Sequence, residues 1–439
     1  MSASNEPVTR PPSATNGWIS LVGAVSGVLT LLVLVNHGGV QTTTAMILCG
    51  IAIALPIMLG DLFVLRVYCR ETTGLGPFRT APWNWARIST KLIGLLATYG
   101  VIAFFYWLLP EYNKAFFDPF YEIAGQALPS ILLLSALYFA LVDQHMTKPR
   151  DAYWHLGRLL LGHWVITSET RRKLKEHALG WTIKAFFLPL MTVFFYKNIN
   201  WMMDHPPAES LSQFRTAVFW FISLGFFLDV AFAFIGYVLT MRLFDSHIRS
   251  SNPLLLGWGV ALVCYPPFWA LIGDNYLAYK NSPDWFAWLQ SHPTLLMIWG
   301  SILIGLVMIY ALATVIFGIR FSNLTHRGII TGGPYRFTKH PAYVAKNLYW
   351  WLATVPFIAE AGWQVALASC LMLLGVNFIY LLRARTEERH LSTDPAYVAY
   401  ALWINENGIF RNISRLVPVL RFKAPLPGTE SPASKPFPL

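Results

Sequence analysis

The chain has 439 residues, of which 55% are hydrophobic, 15% aromatic and only 13% charged. Soluble domains carry roughly a quarter charged residues, so this chain lacks the polar groups to cover a surface in water. The formal net charge of +11 does not mark a nucleic-acid binder, because the basic residues lie between apolar runs, where positive charge records membrane topology.

Residues 1–16 are polar, contain Pro7, Pro11 and Pro12, and lack the basic start and cleavage site of a signal peptide; they read as a short disordered tail. Ten apolar runs follow, at 17–36, 44–65, 92–109, 123–142, 181–200, 216–241, 254–272, 294–319, 343–359 and 362–382. A helix of about 20 such residues spans the hydrocarbon core, so the expected architecture is an all-α, polytopic transmembrane helix bundle. Asp61 in the second run and Asp229 in the sixth are intramembrane carboxylates, candidates for lining a substrate or proton path as well as for packing pairs. Residues 151–167 place Trp154, His155, Arg158 and His163 among leucines and read as an interfacial helix. Lys184, near the start of the fifth run, is expected to snorkel. Tyr265, Pro266 and Pro267 break the seventh run, either shaping a cavity or marking a kink. The ninth run is short and joined to the tenth only by Glu360 and Ala361, so the two read as a tight hairpin. Residues 411–439 form a basic, proline-rich tail.

Charge gives an independent test of this reading. With the first residues inside, alternate loops carry Arg66, Arg70, Arg79, Arg87 and Lys91, then the cluster from Lys148 to Lys175, then Arg242 and Arg249, then Arg320 to Lys346. The opposite loops offer only Lys114, Lys197, Arg215 and Lys280. That asymmetry predicts both termini on the cytoplasmic side, where the sequons at Asn323 and Asn412 escape glycosylation. The chain then divides into an N-terminal transmembrane region, 17–293, with seven spans and the interfacial helix, and a C-terminal membrane domain, 294–410. Cys49, Cys69, Cys264 and Cys370 have no metal-ligand spacing, and no metal site is expected.

Polar residues without a structural reason cluster between Arg320 and Tyr400. Gly332, Gly333 and Pro334 are turn chemistry. His340 and Pro341 stand where a helix begins, since proline suits a first helical turn and the free N–H groups there favour anions. Arg383 and Glu387, four apart at the end of the tenth run, share a helix face. The short hairpin brings that face back beside His340, so a cation, an anion and a histidine-tyrosine loop meet at the cytoplasmic leaflet.

Gly333-Pro334-Tyr335-Arg336, His340-Pro341-Ala342-Tyr343, Arg383 with Glu387, Glu388 and Leu391, and Tyr397 with Tyr400 follow one another in the order and spacing of a known pattern. Residues 320–400 thereby resemble the isoprenylcysteine carboxyl methyltransferases and their phospholipid-methyltransferase-like relatives. The resemblance implies S-adenosylmethionine as cofactor, in a pocket lined by Arg327, Gly328, Ile329, Ile330, Tyr335, His340, Pro341, Ala342, Tyr343 and Glu387, with Arg320 extending its membrane end. It implies that Arg383 binds the carboxylate of a lipid or isoprenylated acceptor within the bilayer, and that Arg383 and Glu387 carry the catalysis. The sequence departs from the pattern at Lys339, which replaces an arginine, and at Ala401, Leu402 and Trp403, which replace a basic run. No G-x-G-x-x-G segment is present, so a nucleotide-bearing cofactor must use this loop and these helix ends.

Two other readings compete. Membrane sterol reductases using NADPH have a related hairpin, but with tryptophan where Pro334 stands and asparagine where Pro341 stands. A transporter or structural membrane protein would use Asp61 and Asp229 to line a path and leave the motif vestigial. Gly-Pro-Tyr, His-Pro and Glu-Glu favour methyl transfer.

Overall fold

A computed structural model describes residues 9–77, 82–272, 284–360 and 362–424. Among them, eight helices are long and apolar enough to cross a membrane. These are α1 (Gly17–His37), α2 (Thr42–Leu59, prolonged by a π turn to Val64), α3 (Trp85–Leu108), α4 (Asp118–Asp143), α6 (Ser168–Asp204), α8 (Phe214–Val238), α12 (Pro293–Val315) and α14 (Trp363–Leu391). The others are shorter: α5 (Ala152–Leu160), α7 (Pro207–Ser210), α9 (Leu255–Leu262), α10 (Phe268–Ile272), α11 (Trp285–Leu289), α13 (Pro341–Thr354), α15 (Pro395–Asn407) and α16 (Arg411–Leu416). The sheet of the described residues is one antiparallel ladder, Ser250–Ser251 against Thr325–His326.

The all-α membrane bundle follows from helices that are apolar all round. On α1, Ala24 and Leu31 face the core while Val22, Val25, Leu29 and Val33 are each more than half exposed. Such a stripe is tolerable in lipid and costly in water. α1 packs along α2, α8 lies between α6 and α12, and α13 packs on α12.

Two of the ten expected crossings are not continuous helices of spanning length. The seventh is broken into α9 and α10 at Tyr265, Pro266 and Pro267, because proline has no N–H to continue the ladder. The ninth is α13, 14 residues long and so about 21 Å. It stops at Val355, which turns left-handed at φ 37° immediately before Pro356, where the helical region is disfavoured.

Three further expectations are corrected. The helix expected over 151–167 covers only Ala152–Leu160; Thr167 caps α6 by accepting from the Thr170 N–H, which ends any continuous helix between them. Residues 9–16, expected as disordered, are bonded to the loop after α12, with Ala14 N–H donating to Ile329 O at 2.9 Å. The tail expected from 411 is ordered through Phe422, whose main chain exchanges two hydrogen bonds with the Asn405 side chain at 2.9 and 3.1 Å. Residues 1–8 and 425–439, together with Arg79, Lys280, Asp274 and the Ala361 link, lie outside the described residues.

The loops expected to share one membrane face do meet. Arg70 pairs with Asp245 at 3.3 Å, Arg242 donates to Thr73 O at 2.9 Å, and Arg320 pairs with Asp61 at 3.3 Å. Lys91, fully buried, joins Asp143 at 2.8 Å and Asp151 at 3.2 Å, tying α3, α4 and α5 together. α3 and α5 cross so closely that a Cβ at Gly94 falls 2.1 Å from Tyr153 O, and one at Gly157 falls 1.9 Å from Thr90 O.

The loop after α12 is held by Arg327. Its guanidinium donates to Ser246 O (2.6 Å), Gly236 O (2.8 Å), Phe321 O (2.9 Å), Leu239 O (3.3 Å) and Ile319 O (3.3 Å). Arginine has five N–H donors, and all five are used.

Two outcomes follow from these contacts. Gly94→Ala, which meets backbone that has no room to move, lowers stability by about 1–3 kcal/mol, read as a drop in the thermal midpoint in detergent. Gly100→Ala on the same helix, with nothing within 4 Å of its added Cβ, leaves the midpoint unchanged or higher. Arg327→Met strands buried carbonyls at about 1–3 kcal/mol each and yields aggregated protein on gel filtration. Arg327→Lys, with three donors, gives a monodisperse protein of reduced thermal midpoint.

Candidate active site

The loop between α12 and α13 is shaped by local chemistry before any ligand is considered. Asn323 N–H donates to the Tyr237 hydroxyl at 2.8 Å, and the Ser250–Ser251 ladder fixes Thr325 and His326. Gly328 sits at φ +112°, a conformation that glycine alone adopts without strain. Gly333, Pro334, Tyr335 and Arg336 form one 3-10 turn. The Tyr400 hydroxyl donates to Tyr335 O at 2.7 Å, docking α15 on that turn. His340 then precedes α13, with Pro341 in its first turn.

Two adjoining cavities open between this loop, α13 and α14. The outer one, about 560 Å³ counted to its open mouth, is walled by the chain at 328–330, by Tyr397 and Tyr400 of α15, and by Tyr335, His340 and Glu387. The inner one, about 980 Å³ counted to its open mouth, shares Tyr335, His340 and Glu387 and continues to Tyr343, Arg383 and Asp229.

At the junction, the Tyr343 hydroxyl donates to Glu387 Oε2 at 2.9 Å, and His340 Nδ1 stands 3.9 Å from that same oxygen. His340 Nε2 lies 3.2 Å from Glu388 Oε1. Glu388 is buried and also takes Lys339 Nζ at 2.5 Å and Arg385 Nη1 at 3.1 Å. Burial lowers the pKa of Lys339, while Glu388 beside it favours the charged form. Burial pushes the Tyr335 phenol well above its usual range, so it stays protonated and able to donate.

Arg383 is buried in the inner cavity. Its guanidinium lies over the rings of Tyr343 and Tyr380, each at 5.2 Å, and Tyr265 at 5.9 Å, and donates to Asn323 Oδ1 at 3.2 Å. Cation–π contact stabilises the charge without neutralising it. Deeper in, Asp229 accepts from the Tyr310 hydroxyl and from Thr314 Oγ1. Lys346 lies over the rings of Tyr310 and Tyr380 at 5.4 and 5.8 Å.

The structure thus gathers most of the residues singled out from sequence. Gly328, Ile329, Ile330, Tyr335, His340 and Glu387 line the outer cavity, and Ala342, Tyr343 and Arg383 the inner. Pro341 lines neither and acts as a helix opener. Arg320 and Arg327 reach the outer cavity, but their guanidiniums are turned to protein acceptors. Arg320 donates to Asp245 O (3.1 Å), Phe244 O (2.9 Å) and Asp61 (3.3 Å). What these two give the pocket is the position of the chain rather than a free charge. Tyr265, Asn323 and Tyr380 were missed; the broken seventh run was the available signal for Tyr265. Among the described residues no group of three or more histidine, cysteine, aspartate or glutamate side chains is placed to hold a metal ion.

Comparison with known proteins bears on this same stretch. Residues 293–393 match the model of the isoprenylcysteine carboxyl methyltransferase family. No curated protein and no solved structure matches the chain. The matched residues run from the start of α12 through α14 and hold His340, Arg383 and Glu387. Residues 293–393 of this membrane protein are therefore similar to the isoprenylcysteine carboxyl methyltransferase family.

Proposed function

We propose that the chain transfers a methyl group from S-adenosylmethionine to a carboxylate of a lipid or isoprenylated acceptor. The observation that carries this reading is the meeting of two unlike cavities at Tyr335, His340 and Glu387. Beyond those shared residues, the outer cavity adds the main chain at 328–330 with Tyr397 and Tyr400, and the inner adds Arg383 in its tyrosine box with Asp229 and Lys346.

The lining of the outer cavity suits the cofactor's chemistry. Its wall at 328–330 offers main-chain polar groups, its tyrosine rings offer faces to a cationic sulfonium, and Glu387 offers lone pairs to hydroxyl or ammonium groups. When bound, S-adenosylmethionine supplies a methyl group that moves by in-line displacement: the new C–O bond forms as the C–S bond breaks and the electron pair returns to sulfur. The protein's work is to align the partners and exclude water. Arg383 has two N–H edges suited to a carboxylate. A carboxylate is ionised at neutral pH and needs no base, so no proton changes hands. The Tyr343 hydroxyl fixes Glu387 at the junction, and His340 stands beside it, held by Glu388. The inner cavity lies among membrane-spanning helices, which suits an acceptor arriving through the bilayer.

Isothermal titration of the purified chain with S-adenosylmethionine tests this directly. Saturable binding is expected, weakened at least about tenfold in His340→Ala and Glu387→Ala, as for loss of one charge-assisted contact. Arg383→Ala should bind the cofactor normally yet fail to label total membrane lipid from a radiolabelled methyl donor. The wild-type label should be released by mild alkali, as an ester is. Binding of NADPH in place of S-adenosylmethionine would overturn the proposal.

The charge of its loops supports a site facing the cytoplasm. Cys69, which is exposed, shares that end of the bundle. It should react with a membrane-impermeant maleimide only in inside-out vesicles, and Lys114→Cys in a Cys69→Ser background only in right-side-out ones. The opposite pattern would place the site outside.

A further inference from the structure

The segment before α1 lies outside the family-matched residues, yet it is bonded to the wall of the outer cavity. Ala14 N–H donates to Ile329 O at 2.9 Å. Thr331 answers twice, its Oγ1 donating to Pro11 O at 2.9 Å and its N–H to Ser13 Oγ at 3.3 Å. Thr15 Oγ1 donates to Ile316 O at 2.7 Å. The segment therefore runs beside the stretch 328–331 and is bonded to it at Ile329 and Thr331.

The contact is close as well as polar. A Cβ built on Gly328 falls 2.7 Å from Ala14 Cβ, so the two chains touch where the loop takes its left-handed turn. At one end of the segment the Arg10 guanidinium lies 5.7 Å from the Trp403 ring. Trp403 belongs to α15, the helix whose Tyr397 and Tyr400 form the facing wall. At the other end Asn16 caps α1, accepting from Trp18 N–H at 2.9 Å. Arg70 holds the middle, donating to Ala14 O at 2.8 Å while also pairing with Asp245.

We infer that residues 10–15 are a positioning strap for the cofactor cavity, holding the main chain at 328–331 against the N-terminal helices so that it is shaped for S-adenosylmethionine before binding. This rests on the proposed methyltransferase reading and extends it to residues with no place in the family-matched region. Several loop bonds end on the strap, and a chain that loses them visits other shapes. Apparent affinity then falls by the fraction of time the wall is correctly formed.

The geometry supplies its own test. A Cβ on Gly332 would lie 4.0 Å from Ser13 Cβ, within the range a disulfide bridges. Four proteins are titrated with S-adenosylmethionine in detergent: wild type, Thr331→Val, a variant with residues 10–15 replaced by glycine and serine, and Ser13→Cys/Gly332→Cys/Thr331→Val in a Cys69→Ser background. Thermal unfolding and gel filtration report folding in parallel. The replaced strap should remain monodisperse and bind about tenfold more weakly, the loss expected of a wall formed a tenth of the time. Thr331→Val should show a smaller loss in the same direction. The double-cysteine protein should regain wild-type affinity when oxidised and lose it again on reduction. Wild-type affinity in the strap-replaced protein, with only its thermal midpoint lowered, would make the strap merely structural and overturn the inference. Failure of the wild-type chain to bind S-adenosylmethionine would bring down the methyltransferase reading, and the strap's role with it.

Discussion

The guanidinium of Arg327 is the point on which the site end of the bundle depends. A buried cation without a carboxylate is costly, and here the compensation comes entirely from main-chain carbonyls. Two of them, on Gly236 and Leu239, close the last turn of α8; two more, on Ile319 and Phe321, follow α12. Helix C-termini carry unsatisfied carbonyls and partial negative charge, so one planar fork caps the end of α8 and ties it to the loop after α12. Lysine lacks the donors for that geometry. Because Arg327 immediately precedes Gly328, the same interaction that seals the end of α8 also sets where the cavity wall begins.

This arrangement changes the part the N-terminal helices play. Asp229 on α8 and Tyr265 between α9 and α10 line the inner cavity, and Tyr237 on α8 orients Asn323 through its hydroxyl. All three precede the family-matched residues. In the proposed reading, cofactor chemistry sits in the matched domain while the shape of the acceptor's cavity is shared with helices outside it. Asp229 is stabilised in its apolar surroundings by Tyr310 and Thr314 of α12, as a membrane-embedded carboxylate requires. Asp61 has a different fate: its partner is Arg320, and it serves the closure of the bundle end.

What was legible in the sequence was local in origin. Apolar runs gave the long helices, and the Pro266-Pro267 break and the His340-Pro341 helix start follow from proline's missing N–H. The stop at Val355 was legible too, since Pro356 follows it, but a hydropathy window carries through Val355 to Ala359 without noticing that the backbone has left the helix. Residues 9–16 were illegible for the opposite reason. Their attachment is made of main-chain and hydroxyl hydrogen bonds together with the contacts of Arg70 and Arg10, none of which leaves a trace in hydropathy or periodicity. The family resemblance implied Arg320 and Arg327 at the pocket; only the folded chain shows their N–H groups turned to protein acceptors. The tyrosine box around Arg383 draws on three separate segments, and no spacing rule joins them.

That box explains how two oppositely charged side chains four residues apart on one helix keep separate tasks. Left to themselves, Arg383 and Glu387 would form an ordinary pair, and neither charge would be free for a ligand. Tyr343 stands between them: its hydroxyl holds Glu387 and its ring lies against the Arg383 guanidinium. The partners of Arg383 are an amide oxygen and three tyrosine rings, none of which carries a full negative charge at neutral pH. The cation thus remains unpaired by any carboxylate of the described residues within a buried cavity, where attraction for an anionic ligand is less screened than in water. Tyr343 sits there because Pro341 starts α13 two residues earlier and puts the tyrosine in its first turn. The separation of cofactor side from acceptor side therefore traces back to where one helix is allowed to begin.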